Sequence, residues 1–206
     1  MERPGWGWVE RVGTAGLDGI EWVVDAFDTY CLTFARGLGT EELVGRLGGD
    51  VSAMLPSASP EQVLELDSAK GSAARMGVCA GWAFSVERWS AEGMDRAALE
   101  TVSGGTDAVV LLCSGASPLW FLHARDGVVL ADFEPGVEAE QLGGHSPEHL
   151  VPAMIEVGLL LPDGTSAEDV DERRLILRMA ENVFGLSLPR EDLLHARLAA
   201  VSLSGI

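Results

Sequence analysis

Three charged residues lie where strands of this chain are predicted to end, and they are the first candidates for chemistry. Glu87 closes one alternating apolar segment, Glu134 directly follows a second, and Arg36 directly follows a third. Two carboxylates that meet across a sheet can act as general acid and general base. The sequence therefore leaves open a small enzyme whose pocket combines Glu87, Glu134 and Arg36.

Motifs for other kinds of catalysis are missing or incomplete. His145 and His149 have the spacing of a helical metal pair, but the helix is predicted to begin at Ser146, and no third ligand lies nearby in sequence. Cys113 follows a strand without a positive neighbour that would activate its thiol. Residues 103–106 are glycine-rich but lie between a helix and a strand, the reverse of a phosphate-binding loop. We therefore predict no catalytic residue, no metal and no cofactor.

Tryptophans outside the predicted strands are candidates for binding another molecule. Trp6 and Trp8 lie in a glycine-rich leader, and Trp89 directly follows a strand. Partly exposed Trp is enriched among the residues that dominate binding energy at interfaces. The alternative is that each of them packs locally and covers an edge of the sheet. The predicted binding residues are Arg36, Glu87, Glu134, Trp6, Trp8 and Trp89.

The net charge restricts the class of partner. The chain has 32 Asp and Glu against 14 Lys and Arg, a net charge of −18 at pH 7. Such a charge repels phosphate backbones and anionic lipids, so we expect neither nucleic acid nor a membrane as partner. It favours a basic protein, although net negative charge also serves solubility alone.

The cysteines and the N-terminal residues predict a cytoplasmic protein. Cys31, Cys79 and Cys113 are odd in number and widely spaced, which fits reduced, buried thiols better than disulfides or a zinc site. The first residues lack the apolar core of a secretory signal.

The pattern of apolar residues predicts an α+β fold. Strands are expected at residues 30–35, 81–87, 107–113, 119–124 and 128–133, with helices before, between and after them. Short connections between successive strands favour antiparallel pairing. We predict a loosely ordered leader over residues 1–18 and a single domain over 19–206. That domain has a central antiparallel sheet of about five strands, helices on one face, and a helical C-terminal third.

The alternation within the strands also predicts which side chains face the helices. These are Leu32, Phe34, Trp82, Phe84 and Val86. Glu87 then points toward the less apolar face, where its replacement by Ala is expected to change stability little.

Several segments resemble an uncharacterised actinobacterial domain-of-unknown-function family. The similar pieces are Tyr30-Cys31-Leu32-Thr33-Phe34-Ala35-Arg36-Gly37-Leu38 with the following Thr40-Glu41-Glu42-Leu43, then Gly81-Trp82-Ala83-Phe84-Ser85-Val86-Glu87, and Phe133-Glu134-Pro135. The resemblance covers roughly residues 20 to 205. It implies a shared fold and a bacterial cytoplasm but no established activity.

These observations together favour a non-enzymatic protein-binding module. Its expected role is that of an immunity-type or regulatory partner whose acidic face neutralises a basic protein. The small enzyme built on Glu87, Glu134 and Arg36 is the alternative.

Overall fold

One antiparallel sheet of eight strands organises the chain in the computed structural model, which describes residues 18–115 and 119–203. The strand order across the sheet is β2-β8-β3-β4-β1-β5-β6-β7. The strands are β1 (Tyr30–Arg36), β2 (Leu55–Ala58), β3 (Ala73–Cys79), β4 (Trp82–Glu87), β5 (Asp107–Cys113), β6 (Trp120–Arg125), β7 (Val128–Phe133) and β8 (Leu198–Ser202). Apart from residue 18, the predicted leader lies outside the described residues, and so do its Trp6 and Trp8.

Seven α-helices in the described part of the chain surround this sheet. They are α1 (Val23–Ala26), α2 (Thr40–Arg46), α3 (Pro60–Lys70), α4 (Arg96–Val102), α5 (Val151–Val157), α6 (Glu172–Phe184) and α7 (Arg190–His195). Local sequence sets several of their ends. Ser59 and Gln62 form a capping box at the start of α3, and Gly185 ends α6 in a left-handed conformation.

Tight turns join two pairs of neighbouring strands that are consecutive in sequence. Asp126 and Gly127, with φ angles of 52° and 79°, connect β6 to β7. Ala80 and Gly81, with φ angles of 50° and 81°, connect β3 to β4. A two-residue hairpin turn of this kind requires positive φ at both positions, which Asp-Gly supplies readily. Asp126 and Gly127 therefore form the turn of the β6–β7 hairpin.

The prediction of about five strands with helices on one face is wrong, although the fold is α+β. The five predicted strands correspond to β1, β4, β5, β6 and β7, and the sheet continues through β3, β8 and β2. In β3, which is buried along most of its length, alternation of apolar and polar residues is weak because both faces are covered. Pro56 within β2 also argues against a strand, yet β2 is an edge strand, where proline is tolerated.

Helices cover both faces of the sheet because the second face consists mainly of small side chains. Cys31, Ala35 and Ala83 alternate with the large apolar residues of β1 and β4, and all three are fully buried beneath α2 and α4. The first face, with the larger side chains, packs against α1, α5, α6 and α7. Small side chains occur both on half-exposed sheet faces and on faces that helices approach closely. Alternation of large and small residues in the sequence therefore does not show whether the second face is exposed or covered.

The predicted register of the large side chains is confirmed. The cluster on the first face contains Leu32, Phe34, Trp82, Phe84 and Val86. In the β1–β4 pair, Phe34 lies opposite Phe84 and Leu32 lies opposite Val86.

Replacing Phe84 by Ala is expected to reduce the free energy of unfolding by about 3–5 kcal/mol, because it removes a fully buried ring and leaves a cavity. Val128→Ala, at an exposed position of β7, serves as the control and is expected to change stability by less than about 1 kcal/mol. Urea unfolding measures both. Equal losses for the two variants would contradict the assigned core.

Candidate functional site

The structure does not bring Arg36, Glu87 and Glu134 together. In the β1–β4 pair, Glu87 lies opposite Cys31 and Arg36 lies opposite Trp82. The two charges are therefore about 17 Å apart along the strands. Glu134 follows β7, four strand spacings from β4, or about 19 Å across the sheet. A shared pocket for these three side chains is not formed.

Glu87 is fully buried, contrary to the expectation of a less apolar, tolerant position. Its Oε2 accepts hydrogen bonds from Ser90 Oγ (2.6 Å) and Glu92 N (2.9 Å), and its Oε1 accepts one from Gly93 N (3.0 Å). A buried carboxylate needs such donors because it has lost its water. Glu87 therefore holds the segment that follows β4 against the second face of the sheet, and it does not face solvent.

The tight packing around Glu87 explains a glycine in the held segment. A Cβ added to Gly93 would lie 2.2 Å from Thr33 Oγ1 and 3.3 Å from Cys31 Sγ. Burial raises the pKa of the Cys31 thiol, and the neighbouring charge of Glu87 raises it further. Cys31 is thus a poor nucleophile, since the thiolate is the reactive form.

Trp89 is the predicted anchor that the structure does leave exposed, with 51% of its surface accessible. The Arg88 guanidinium lies 4.8 Å from the Trp89 ring centroid and 4.7 Å from that of Phe27. We call this pair, Arg88 with Trp89, the Arg88 corner. Two recesses flank it, one of about 80 Å³ toward α3 and α7 and one of about 360 Å³ toward the ends of β1 and β5.

Arg36 is exposed at the opposite end of the sheet and has a similar aromatic contact. Its guanidinium lies 4.8 Å from the Trp82 ring centroid, and Trp82 itself is buried. Glu134 is half-buried and makes no side-chain hydrogen bond or ion pair with the described residues. These two residues are available to a partner but lie on separate parts of the surface.

Two histidines form a chain of contacts that the sequence did not predict. His123 Nδ1 lies 3.0 Å from His149 Nε2, His123 Nε2 lies 3.3 Å from Asp107 Oδ1, and His149 Nδ1 lies 2.6 Å from the carbonyl of Ser146. Burial lowers the pKa of His123 to about 4. Because every ring nitrogen already has a partner, none is left to act on a substrate. These histidine contacts instead hold residues 147–150 against the sheet.

The acidic residues concentrate in one part of the chain. Residues 126–172 contain twelve Asp and Glu and no Lys or Arg, so they account for −12 of the net −18. We call this part the acidic segment. Two of its members pair with arginines: Asp132 with Arg96, and Asp171 with Arg174. The negative charge of this segment is therefore larger than solubility alone requires.

A recess of about 560 Å³ lies within the acidic segment. Glu138 and Glu168 contribute to its wall, and neither forms a salt bridge with the described residues. Leu161, also in the wall, is 46% exposed. An apolar side chain between carboxylates can pack on the aliphatic part of a lysine or arginine while the carboxylates bind its charged end.

Backbone and side-chain hydrogen bonds fix the turn that carries Leu161. Leu161 N donates to the carbonyl of Thr165 (2.8 Å), and Asp163 Oδ1 accepts from both N and Oγ1 of Thr165 (3.1 and 2.7 Å). These bonds from Thr165 lower the pKa of Asp163, so that carboxylate stays ionised. Ala139 N donates to the carbonyl of Gly164 (2.9 Å), which joins the turn to the opposite wall of the recess.

Sequence reasoning did not single out this recess, although a signal for it exists. A run of 47 residues without a Lys or Arg is visible in the sequence. The recess itself depends on an isolated bridge between Leu160 and Ser166 and on the bond to Gly164, which no local pattern indicates.

The sequence profile of one protein family, described as a family of unknown function (DUF6461), matches residues 19–202. No curated protein and no solved structure shows significant similarity to the chain. Among the described residues, no helix is long and apolar enough to cross a membrane. The same residues contain no group of three His, Cys, Asp or Glu side chains arranged to hold a metal ion.

Glu87→Gln is expected to lower the free energy of unfolding by about 1–3 kcal/mol. The NH₂ group of the amide then faces a buried N–H or O–H donor that a carboxylate oxygen accepts from in the natural protein. Glu134→Gln is the matched control, because Glu134 lies at the same end of the sheet but makes no such hydrogen bonds. Its free energy of unfolding is expected to change little. Faster amide exchange at Gly93 in Glu87→Gln alone would accompany the loss. Equal stability of both variants would contradict the role of Glu87.

Proposed function

The chain belongs to the DUF6461 family, whose function is unknown, and we propose that it is a protein-binding module for a basic partner. The observation that carries this proposal is the recess of the acidic segment, which Glu138, Glu168 and the exposed Leu161 all line. The fitting ligand is a lysine or arginine side chain presented by a folded protein.

The rest of the acidic segment supports binding of a large partner in preference to a lone cation. Charge spread over an extended surface steers a basic protein to its site and raises the association rate. Val170, 36% exposed, and Leu161 add apolar contact area within the same stretch of sequence. A partly apolar surface with a charged rim is the usual composition of a protein interface.

An immunity-type or regulatory role is the biological form we propose for such a module. A protein of this kind neutralises a basic toxin or controls a basic enzyme by covering its active surface. Three free, buried cysteines fit a reducing compartment, and on that ground we propose a cytoplasmic location.

The enzyme alternative receives no support from the arrangement of Arg36, Glu87 and Glu134. Glu87 is buried and fully hydrogen-bonded, while the other two lie far from it. No observation in the described residues favours a second function over the binding module.

The test uses charge reversal in the recess. The double variant Glu138→Lys/Glu168→Lys is expected to weaken binding of the basic partner by at least about tenfold, because like charges at an interface repel. Glu41→Lys/Glu65→Lys changes the net charge equally at exposed positions outside the acidic segment and is expected to bind nearly as well as the natural protein.

Affinity capture from cells that encode the protein supplies the partner, and surface plasmon resonance then measures its association. The association rate should fall as salt rises, because charge is screened over about 8–10 Å at ordinary ionic strength. An acidic partner, salt-independent association, or equal weakening by both double variants would reject the proposal.

A further inference from the structure

We propose that the smaller recess beside the Arg88 corner binds small carboxylic acids with an apolar body. This site is separate from the acidic segment and does not depend on the proposed protein partner. Arg75 and Arg88 both line it, and its other walls are mostly apolar: Phe27, Val63, Val86, Leu193 and Leu194, with Trp89 at its side.

Arg75 supplies the first positive charge, and it is unusual in being 94% buried, with a relative exposure of 6%. Its guanidinium donates to the carbonyls of Asp192 (3.3 Å), Leu193 and Ala196 (2.6 Å) at the end of α7. Its Nε has no hydrogen-bond partner, and no carboxylate among the described residues forms a salt bridge with it. Asp192 and Glu61 act on it only at longer range.

A buried cation without a paired anion is costly, because burial removes its water and nothing of opposite charge replaces it. Burial accordingly lowers the pKa of Arg75. Carbonyl oxygens at the end of α7 offset part of this cost through the helix dipole. A carboxylate bound in the recess would supply the missing negative charge.

Arg88 supplies the second charge on the same face of the sheet. Arg75 of β3 lies opposite Val86 of β4. Arg88 follows Val86 by two residues, directly after β4 ends, and so lies on the same side of the sheet. Its guanidinium contacts the rings of Phe27 and Trp89 and forms no salt bridge with the described residues. Its N–H groups therefore remain free to bind a carboxylate in the planar, two-bond geometry that guanidinium favours.

Arg75 and Arg88 are the arginines that line this recess, and neither pairs with a carboxylate of the described residues. Five others pair with carboxylates: Arg46, Arg96, Arg125, Arg174 and Arg178. Arg36, Arg173, Arg190 and Arg197 also form no salt bridge with the described residues, but none of them lines either recess. Two guanidinium groups without a paired carboxylate at one apolar recess are the arrangement that an external carboxylate would complete.

The volumes and walls define the ligand. The recess of about 80 Å³ accommodates a carboxylate with a few carbons, and the adjoining recess of about 360 Å³ shares Arg88 and Trp89 in its wall. Together their volumes fall in the lower part of the range for small-molecule sites, about 300–1,000 Å³. A fatty acid of medium chain length or an aryl-alkanoic acid has the required anionic head and apolar body.

The test is titration of the whole protein with octanoate and 3-phenylpropanoate, each compared with its primary amide. Binding is followed by calorimetry and by the indole N–H signal of Trp89 in nuclear magnetic resonance, assigned through Trp89→Phe. Both carboxylates should bind saturably at millimolar concentrations or below. The amides should bind at least about tenfold more weakly, because they lack the charge-assisted bonds.

Variants locate the site. Arg88→Gln is expected to weaken octanoate binding about tenfold or more. Arg36→Gln is the matched control, since Arg36 is also exposed and stacks on a tryptophan at the same 4.8 Å but lies outside these recesses, and it should bind octanoate as the natural protein does. Trp89→Ala should weaken binding as well, which keeps the test valid if Arg88→Gln folds poorly.

Four results would overturn the proposal. These are the absence of saturable binding by either carboxylate, equal binding of acids and amides, unchanged octanoate binding in folded Arg88→Gln and Trp89→Ala, and equal loss in Arg36→Gln and Arg88→Gln. The last result would show that octanoate responds to net charge alone.

Discussion

The buried carboxylate of Glu87 is the interaction that fixes how the chain passes from β4 onto the second face of the sheet. It ends β4 and receives two backbone N–H groups from Glu92 and Gly93, so the chain must cross the second face immediately after the strand. That crossing leads into α4, one of the two helices that bury the small side chains of this face. It also leaves Arg88 and Trp89 projecting at the end of the sheet. The hydrogen bonds of Glu87 thus determine both the packing after β4 and the exposed position of Arg88 and Trp89.

Arginines serve chiefly as ties between elements, which leaves an excess of carboxylates in one region. Arg173, Arg174 and Arg178 of α6 bind carbonyls or carboxylates of the segment containing α1, and Arg197 binds Ser57 of the edge strand β2. The acidic segment has no arginine of its own to neutralise it. Its negative charge is therefore a consequence of how few cations the chain has and where they are used.

The sequence was sufficient to predict the mixed fold class and the register of β1 and β4, because large residues such as Phe34 and Phe84 alternate with small ones. It was insufficient for the second layer of helices, since Cys31 and Ala83 fit a half-exposed face and a closely packed one equally well. Glu87 was misplaced for a related reason: two of its three hydrogen-bond donors are backbone N–H groups, which have no sequence signature. The pairing of His123 with His149 joins residues distant in sequence and depends on how the chain returns to the sheet.

Binding by the acidic segment is tested most directly by photo-crosslinking in cells from a benzophenone amino acid placed at Leu161. The same label at Leu64 on α3, with similar exposure of 50% against 46%, is the comparison. Our account predicts that position 161 captures a basic protein and that position 64 does not. Capture of an acidic protein, or of the same protein from both positions, would contradict it.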